Sequence, residues 1–368
     1  MKPHVIYSDA IDCKAMSQFF DALKQEWVVK GALMPDAHAG YSLPIGAVVA
    51  TEGVVLPSWV GFDIGCGMLA VRTSFDAEAV RAHAKGIFKR IYRDVPTGFS
   101  HNKRADPWVA GEALPRSAAV QSILNRKGMA DLHSLGGGNH FIELGADESA
   151  QVWIVIHSGS RKLGHSVATH YMKVASGDGR AREGHYALRE DSPDGQDYIK
   201  DLAFCLEFAL ENRLGMVSRI EKAVQSEVRT GKVLWETAIN RNHNHAEKKD
   251  GLWIHRKGAT HAEDGMMGVI PGNMRDGSFI VRGKGNPDAL CSSSHGAGRV
   301  MGRGEAKRKL DMATFRKEME DRGIQARVED ATLDEAASAY KDIFAVMAMQ
   351  QDLVEVIHHI KPLINIKG

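Results

Sequence analysis

The stretch "VGFDIGCG" places a carboxylate and a thiol, Asp63 and Cys66, three positions apart on backbone rich in glycine. Histidines stand beside glycine, serine or asparagine in "GGGNH", "IHSGS", "RNHN" and "SSSHGAG"; these are His140, His157, His243 and His295. Histidines buried only for packing rarely occupy such turns and strand ends. A thiolate, a carboxylate and neutral imidazoles together suit divalent transition ions such as manganese, cobalt or zinc.

The number of candidate ligands indicates more than one metal ion. One ion needs about three to four protein ligands, which is fewer than the set Asp63, Cys66, His140, His157 and His243. Two ions that share the Cys66 thiolate would use all five. A pair about 3.5 to 4 Å apart is the usual arrangement for handling phosphoryl groups.

His295 lies in "CSSSHGAGR", where small neighbours allow a phosphate to approach the backbone and Arg299 offers a positive charge. It is either a further metal ligand or a nucleophile that attacks an α-phosphate and carries the nucleotide covalently. Spacing alone leaves both roles open, beside that of an ordinary loop histidine. "GGGNH" and "GKGN" match neither the P-loop nor the dinucleotide-binding fingerprint.

Bulk composition limits the class of protein only loosely. The chain has 368 residues, is 43% apolar and carries a net charge of +1, so any nucleic-acid site must be local. Its four cysteines are scattered and the N-terminus lacks a signal peptide's apolar core, from which we expect a cytoplasmic protein that does not enter a membrane. A segment rich in positive charge offers a track for a nucleic-acid backbone: Arg241, Arg256, Lys257, Arg282, Lys284, Arg299, Arg303, Lys307, Arg308 and Lys309.

Short strands and isolated helices must position these side chains. The pattern predicts a strand, a tight turn and a strand over 54–72, strands at 141–144 and 152–156, and a strand pair over 270–283. Helices are predicted at 77–90 and 197–228, and one or two closing helices over 331–360. Without regular βαβ alternation or a convincing linker, the pattern predicts an α+β fold in one intertwined domain over 1–368.

The motifs also resemble, in order, those of the RtcB family of RNA ligases. They are "MPDAHAG", "VGFDIGCGM", "LGGGNHFIEL", "HSGSRKLGH", "IPGNM", "SFIVRGKGN" and "CSSSHGAGRVM". The resemblance implies a β-sandwich-like core flanked by helices. It also implies the joining of an RNA 3′-phosphate or 2′,3′-cyclic phosphate to a 5′-hydroxyl end, with GTP, two Mn²⁺ ions and a histidine-GMP intermediate.

By the same resemblance, each candidate residue takes a role. Asp63, Cys66, His140, His157 and His243 become the manganese ligands, with Cys66 contacting both ions, and His295 becomes the guanylylated histidine. The guanylate contacts implied are Asn139, Phe141, Glu143 at the guanine edge, Ser278, Ala297, Tyr340 and Lys367.

Two departures from the family pattern concern the substrate. Asn242 stands where many members have a second histidine beside His243, and the chain is shorter than the tRNA-splicing members. It resembles a compact bacterial branch associated with RNA repair, so we expect repair or tRNA splicing by a monomer with a possible accessory activator protein. The alternatives are a two-metal phosphodiesterase or nuclease, and a metal-stabilised RNA-binding protein without turnover.

Overall fold

Strands and helices of very different length follow one another along the chain without regular alternation. The computed structural model describes residues 2–104, 106–126 and 128–368. The helices are α1 (Cys13–Leu23), α2 (Pro57–Val60), α3 (Ala77–Ala82), α4 (Ala84–Asp94), α5 (Val109–Glu112), α6 (Ala118–Asn125), α7 (Arg161–Ser176), α8 (Pro193–Val228), α9 (Arg303–Lys309), α10 (Met312–Asp321) and α11 (Ile343–Ala348). The strands are β1 (His4–Ile6), β2 (Val28–His38), β3 (Ile45–Glu52), β4 (Val54–Val55), β5 (Gly67–Arg72), β6 (Phe141–Ala146), β7 (Val152–Ser158), β8 (Leu188–Arg189), β9 (Ile239–Asn242), β10 (Asn244–Lys249), β11 (Leu252–Lys257), β12 (Ala259–His261), β13 (Met267–Pro271), β14 (Ser278–Gly283), β15 (Ser292–Ser294), β16 (Gln325–Ala326) and β17 (Val354–Lys367).

The larger sheet has the strand order β13-β14-β17-β6-β7-β5-β9, with every neighbouring pair antiparallel. It curls until its two end strands, β13 and β9, lie against each other. Along β5, Met68 and Ala70 face the apolar interior of the curl, whereas Leu69 and Val71 pack outwards in the cluster that includes α4 and α8. This alternation buries both faces of the sheet. The predicted α+β class with a β-sandwich-like core flanked by helices is confirmed.

The second sheet brings the N-terminal segment to the same region. Its order is β1-β2-β3-β11-β10, in which only β1 and β2 run parallel. Strand β10 follows β9 after a single residue, His243, so the chain passes there directly from one sheet to the other. Residues at this junction and at the end of β2 therefore lie near the edge of the larger sheet.

Helix α8 is longer than its apolar pattern predicts. Ser192 caps it by accepting a hydrogen bond from the Gly195 backbone N–H, and Pro193 occupies its first turn, so the helix begins four residues before 197. The leucines at 206, 210 and 214 are only half-buried, because the inward face carries other residues. Those residues include two polar side chains, Asn212 and Arg213, which are fully buried.

The other predicted elements are mostly present. A strand lies at each end of 54–72, with the short helix α2 between them, and the strand pair over 270–283 is the antiparallel pair β13 and β14. The helix predicted over 77–90 is divided at His83 into α3 and α4. In the part of the chain that the structure describes, no helix is long and apolar enough to cross a membrane.

The closing helices predicted over 331–360 are largely wrong. Only α11 is an α-helix there, and the chain from Val354 onwards is the long strand β17, which lies between β14 and β6. Its β-branched residues, Val354, Val356, Ile357 and Ile360, favour an extended backbone. The two neighbouring strands supply its hydrogen-bond partners, and this non-local pairing overrides the apolar spacing.

Candidate metal and nucleotide site

The turn that carries Asp63 and Cys66 lies between α2 and β5, against the buried face of α8. It closes with a hydrogen bond from the Cys66 backbone N–H to the Asp63 carbonyl oxygen at 3.1 Å. Gly65 has a φ of +72°, and a Cβ at this position would lie 2.8 Å from the Ala209 Cβ in α8. The glycine is therefore required both by the backbone conformation and by the close approach of the helix.

Three histidines reach the same edge of the larger sheet from neighbouring strands. His140 precedes β6, His157 is the second-last residue of β7, and His243 follows β9. The strands lie in the order β6-β7-β5-β9 and alternate in direction, so the starts of β6 and β5 meet the ends of β7 and β9. Cys66 directly precedes β5 and so lies among the three imidazoles.

The potential ligand atoms of these residues are at distances typical of a shared coordination sphere. The Cys66 Sγ atom lies 3.1 Å from His157 Nε2 and 3.4 Å from His140 Nε2. His140 Nε2 is 3.0 Å from the Asp63 Oδ2 atom, and His157 Nε2 is 3.2 Å from His243 Nε2. Ligands bound at about 2.0 to 2.3 Å to one metal ion are separated by roughly 3.0 to 3.7 Å. The donor set thus fits divalent transition ions in both chemistry and spacing.

Backbone carbonyls orient two of the imidazoles. His140 Nδ1 lies 2.9 Å from the Leu135 carbonyl oxygen, and His157 Nδ1 lies 3.2 Å from that of Asn139. Because a carbonyl only accepts, each Nδ1 carries the hydrogen and each Nε2 directs its lone pair towards the cluster.

Burial shifts the pKa of the histidines and the cysteine in the cluster. It lowers the pKa of His157 and of His243 well below the ordinary value, so both imidazoles are neutral and available as ligands at neutral pH. Burial, with the Asp63 carboxylate beside it, raises the pKa of the Cys66 thiol. A bound metal ion deprotonates a coordinating thiol, so the cluster gains its thiolate only together with the cation.

His295 lies at the other side of His243, with the two ring centroids 4.9 Å apart. Its Nδ1 atom is 2.6 Å from Asp36 Oδ2, and the same oxygen accepts a hydrogen bond from the His295 backbone N–H at 3.2 Å. Asp36 is fully buried near the end of β2. The carboxylate fixes the hydrogen on Nδ1 and leaves Nε2 with a free lone pair, which is the arrangement of a positioned nucleophile.

A cavity of about 300 Å³ opens beside His295 and His157. All seven residues expected to contact guanylate line it: Asn139, Phe141, Glu143, Ser278, Ala297, Tyr340 and Lys367. They come from five separate parts of the chain, yet the structure brings them together around one space.

Several buried polar atoms in the cavity wall have no partner within the described chain. They are Glu143 Oε1, Ser278 Oγ and Asn365 Oδ1, while Glu143 Oε2 accepts a hydrogen bond from Asn365 Nδ2 at 3.3 Å. Burial raises the pKa of Glu143 to about 8. Buried polar atoms without partners are costly, so this wall is suited to a ligand that presents hydrogen-bond donors.

The C-terminal residues close the cavity through a buried carboxylate, Glu335. It accepts from Lys367 Nζ at 2.6 Å, from the Tyr340 hydroxyl at 2.7 Å and from Arg303 at 2.7 Å. Burial alone raises the pKa of Glu335, but Lys367 and Arg303 outweigh it and lower the pKa to about 2. Lys367 also lies over the Phe141 ring, 5.0 Å from its centroid.

Comparison with known proteins gives a family that agrees with this geometry. The family model described as tRNA-splicing ligase RtcB matches residues 18–115 and 109–368. An RNA-splicing ligase RtcB from Escherichia coli strain K12 is 36% identical over an alignment of 393 positions, which covers 97% of this chain and 95% of that protein. The chain belongs to the RtcB family of RNA ligases.

Other RtcB relatives match over similar lengths. An RNA-splicing ligase from a second Escherichia coli strain is 35% identical, again over 97% of this chain and 95% of its own length. A homologue from Entamoeba dispar is 29% identical over 93% of this chain and 79% of its own length. The similarity therefore covers the candidate metal ligands, the cavity and the C-terminal strand of this RtcB chain together.

Sequence reasoning missed residues that hold the RtcB site in place. Arg213 donates to the backbone carbonyls of Gly65 at 3.0 Å and Ser158 at 2.7 Å, and to the Asn242 side chain at 2.7 Å. It thereby ties α8 to the turn of Cys66 and to the loop after His157. Asn242 thus has a structural role beside His243. The signal was a pair of polar residues, 212 and 213, at the inward face of an otherwise apolar helix.

The positively charged segment over 240–310 does not form one continuous surface. Arg256 is fully buried and pairs with Glu247, and Lys257 is buried with its Nζ bonded to the Ser58 carbonyl oxygen. Arg299 and Arg303 pair with Glu335 at the cavity wall. The prediction that these ten residues form a track is therefore wrong for several of them, because Arg256 and Lys257 are buried and Arg299 and Arg303 pair with a buried acid.

Proposed function

We propose that this chain is a GTP- and Mn²⁺-dependent RNA ligase. It joins an RNA end bearing a 3′-phosphate or 2′,3′-cyclic phosphate to an end bearing a 5′-hydroxyl, in RNA repair or tRNA splicing. The observation that carries the proposal is the position of His295, whose ring packs against His243 of the candidate metal ligands and lines a cavity with buried polar atoms that lack a partner among the described residues. Membership of the RtcB family supports the same activity.

The cluster of ligand atoms supports the metal requirement. Asp63, Cys66, His140, His157 and His243 would hold two manganese ions, with the Cys66 thiolate contacting both. When bound, the ions neutralise charge on the phosphates and so make the phosphorus easier to attack.

His295 acts as the nucleophile in the first step. Its Nε2 attacks the α-phosphorus of GTP, an N–P bond forms, the bond to the β-phosphate breaks and pyrophosphate leaves. The Asp36 carboxylate keeps the proton on Nδ1 and stabilises the positive charge that the ring gains.

The guanylate then passes to the RNA. Water first opens a 2′,3′-cyclic phosphate, breaking the bond between phosphorus and the 2′-oxygen and leaving a 3′-phosphate. An oxygen of the RNA 3′-phosphate then attacks the phosphorus of the histidine-bound guanylate, which releases His295. The 5′-hydroxyl of the second strand attacks the activated 3′-phosphate, forms the phosphodiester bond and expels GMP. Capping is needed because a terminal phosphate lacks a good leaving group.

The cavity provides selectivity for guanine. The N1–H and the 2-amino group of guanine are donors, and the Glu143 carboxylate accepts from both once it is ionised, since its Oε1 atom has no partner among the described residues. Ser278 and Asn139 face the same space, and Tyr340 and Lys367 lie at its C-terminal wall. A buried acceptor that adenine cannot satisfy discriminates strongly against adenine.

An end-joining assay tests the proposal. Two synthetic RNAs, one with a 3′-phosphate and one with a 5′-hydroxyl, are incubated with Mn²⁺ and either GTP, ATP or no nucleotide. A ligase yields the joined product only with GTP, and His295→Ala and Cys66→Ala abolish it. Shortened RNA that appears without GTP and persists in His295→Ala would instead identify a two-metal nuclease.

A further inference from the structure

A second cleft, between α6 and α7, lies outside the nucleotide cavity and has a volume of about 680 Å³. Its charged and aromatic-ring side chains are Arg126, Lys162, His165, His170 and Lys173. The hydroxyl groups of Ser122, Ser166 and Thr169 complete its polar lining. Among the described residues, none of those that line the cleft is acidic.

The positive charge of this α6–α7 cleft is presented to solvent along one face of α7. Lys162, Ser166, Thr169 and Lys173 are spaced by three or four residues and so share a face of the helix. At a rise of about 1.5 Å per residue, the two lysines at its ends are about 16 Å apart along the helix axis. Lysines and hydroxyls in a row of this length suit several phosphates of one nucleic-acid strand.

The cleft begins next to the metal-ligating cluster. Helix α7 follows His157 by only a short loop, and Gly159 in this loop lies so close to Asp63 that a Cβ there would be 2.3 Å from Asp63 Oδ1. Phe62, the neighbour of Asp63, stacks on His165 with ring centroids 5.0 Å apart and an interplanar angle of 22°. A strand lying in the cleft therefore reaches the cluster from the side of Asp63.

The side of approach distinguishes the two RNA ends. The ligand atoms form a row in which Asp63 contacts His140, the sulfur of Cys66 follows, and His157 and His243 lead to His295. Asp63 and His295 are thus at opposite ends. In an in-line displacement at phosphorus the attacking and leaving oxygens are also on opposite sides. With guanylate on the side of His295, the attacking 5′-hydroxyl approaches from the side of Asp63.

We propose that the α6–α7 cleft binds the phosphodiester backbone of the RNA strand that presents the 5′-hydroxyl, an assignment that rests on the proposed ligase function. Its contacts are electrostatic and independent of base sequence. The strand that bears the 3′-phosphate binds elsewhere, on the side of His295.

The test compares Lys162→Gln/Lys173→Gln with a matched control, Lys85→Gln/Lys89→Gln. The control lysines are also exposed and lie four residues apart on α4, away from the cleft. KM is measured separately for a 5′-hydroxyl oligonucleotide and a 3′-phosphate oligonucleotide over a range of salt concentrations. Guanylylation of His295, which involves no RNA, is measured in parallel.

If each substituted lysine contacts one phosphate, the double variant loses two phosphate contacts. The slope of log K against log salt concentration for a single strand then becomes less steep by about 1.4. Between about 50 and 200 mM salt, binding of the 5′-hydroxyl strand by the wild type therefore weakens about sevenfold more than binding by the cleft variant. We expect this difference, with a raised KM, for the 5′-hydroxyl strand alone, and no change in the control.

Failure of this inference differs from failure of the proposed function. If the wild type takes no guanylate, the ligase proposal is wrong. If all proteins take guanylate but the cleft variant keeps the wild-type salt slope for the 5′-hydroxyl strand, the cleft does not bind that strand. An equal rise in KM for both strands likewise overturns the assignment, as does a larger effect on the 3′-phosphate strand.

Discussion

Replacement of Asp36 by asparagine tests whether His295 is a positioned nucleophile. Asp36 Oδ2 is the acceptor for both the ring and the backbone N–H of His295, while its Oδ1 atom is buried and has no partner in the part of the chain that the structure describes. Asparagine has almost the same shape, but its amide N–H can donate to Nδ1. Nδ1 then accepts, the proton moves to Nε2, and the lone pair that attacks GTP is lost.

The size of the effect follows from this contact. A hydrogen bond to a charged group contributes about 1.5 to 3 kcal/mol, which corresponds to about 10- to 150-fold in rate. The tautomer change adds to this loss, since the same substitution in a Ser-His-Asp triad costs about 10⁴-fold. We therefore expect Asp36→Asn to slow guanylylation by about 10² to 10⁴-fold.

The assay is single-turnover transfer of label from α-labelled GTP to the protein in the presence of Mn²⁺. Bound manganese is counted in the same preparations, and Asp9→Asn, a change at an exposed residue in the segment after β1, is the matched control. Asp36→Asn should retain its manganese and its fold. Labelling at the wild-type rate with full metal content would refute the role of Asp36 in orienting His295.

Three further outcomes follow from the site. Cys66→Ala should lower the bound manganese below two equivalents and abolish guanylylation, because it removes the sulfur that would serve as a ligand to both ions; two retained equivalents, counted by elemental analysis, would contradict this. GTP binding should tighten as the pH rises through about 8, where Glu143 ionises, and Glu143→Gln should bind more weakly without this pH dependence in a fluorescence titration. Lys367→Met should lower the free energy of unfolding by about 3 kcal/mol and weaken guanylylation without loss of metal. Since the Glu335 pKa is lowered to about 2, its stabilisation is full above about pH 4.3, the ordinary pKa of glutamate, and is lost as the pH falls towards 2. Lys367→Met raises the pKa of Glu335 in the folded protein, so it should lose less stability than the wild type between about pH 4.3 and 2; an equal loss in urea unfolding over this pH range would exclude the contact.

The candidate ligands could be found in the sequence because their chemistry is local. Cys66, His140, His157 and His243 each stand beside small residues at the end of a strand, and such positions are visible in a single segment. The strands β5, β6 and β7 were equally clear from short apolar runs bounded by glycine. The sequence does not show which of these strands are neighbours in the sheet, because strand pairing depends on the whole chain.

Residues that act through distant partners could not be predicted. Asp36 resembles any acid in a turn-forming motif until β2 brings it to His295, 259 positions later in the chain. Arg213 was not predicted because it lies in α8, whose apolar spacing indicates only a structural helix. Strand β17 was misread as helix since its apolar spacing is ambiguous, and only its pairing with β14 and β6 decides its conformation.

The central claim is that His295 carries a guanylate next to a pair of metal ions held by Cys66 and its neighbours. The most direct measurement is to incubate the protein with GTP and Mn²⁺, digest it, and locate the acid-labile GMP by mass spectrometry of the peptides. We predict a single modified residue, His295, and no modification in Cys66→Ala. A guanylate on any other side chain, or none on a protein that binds both manganese and GTP, would contradict the account.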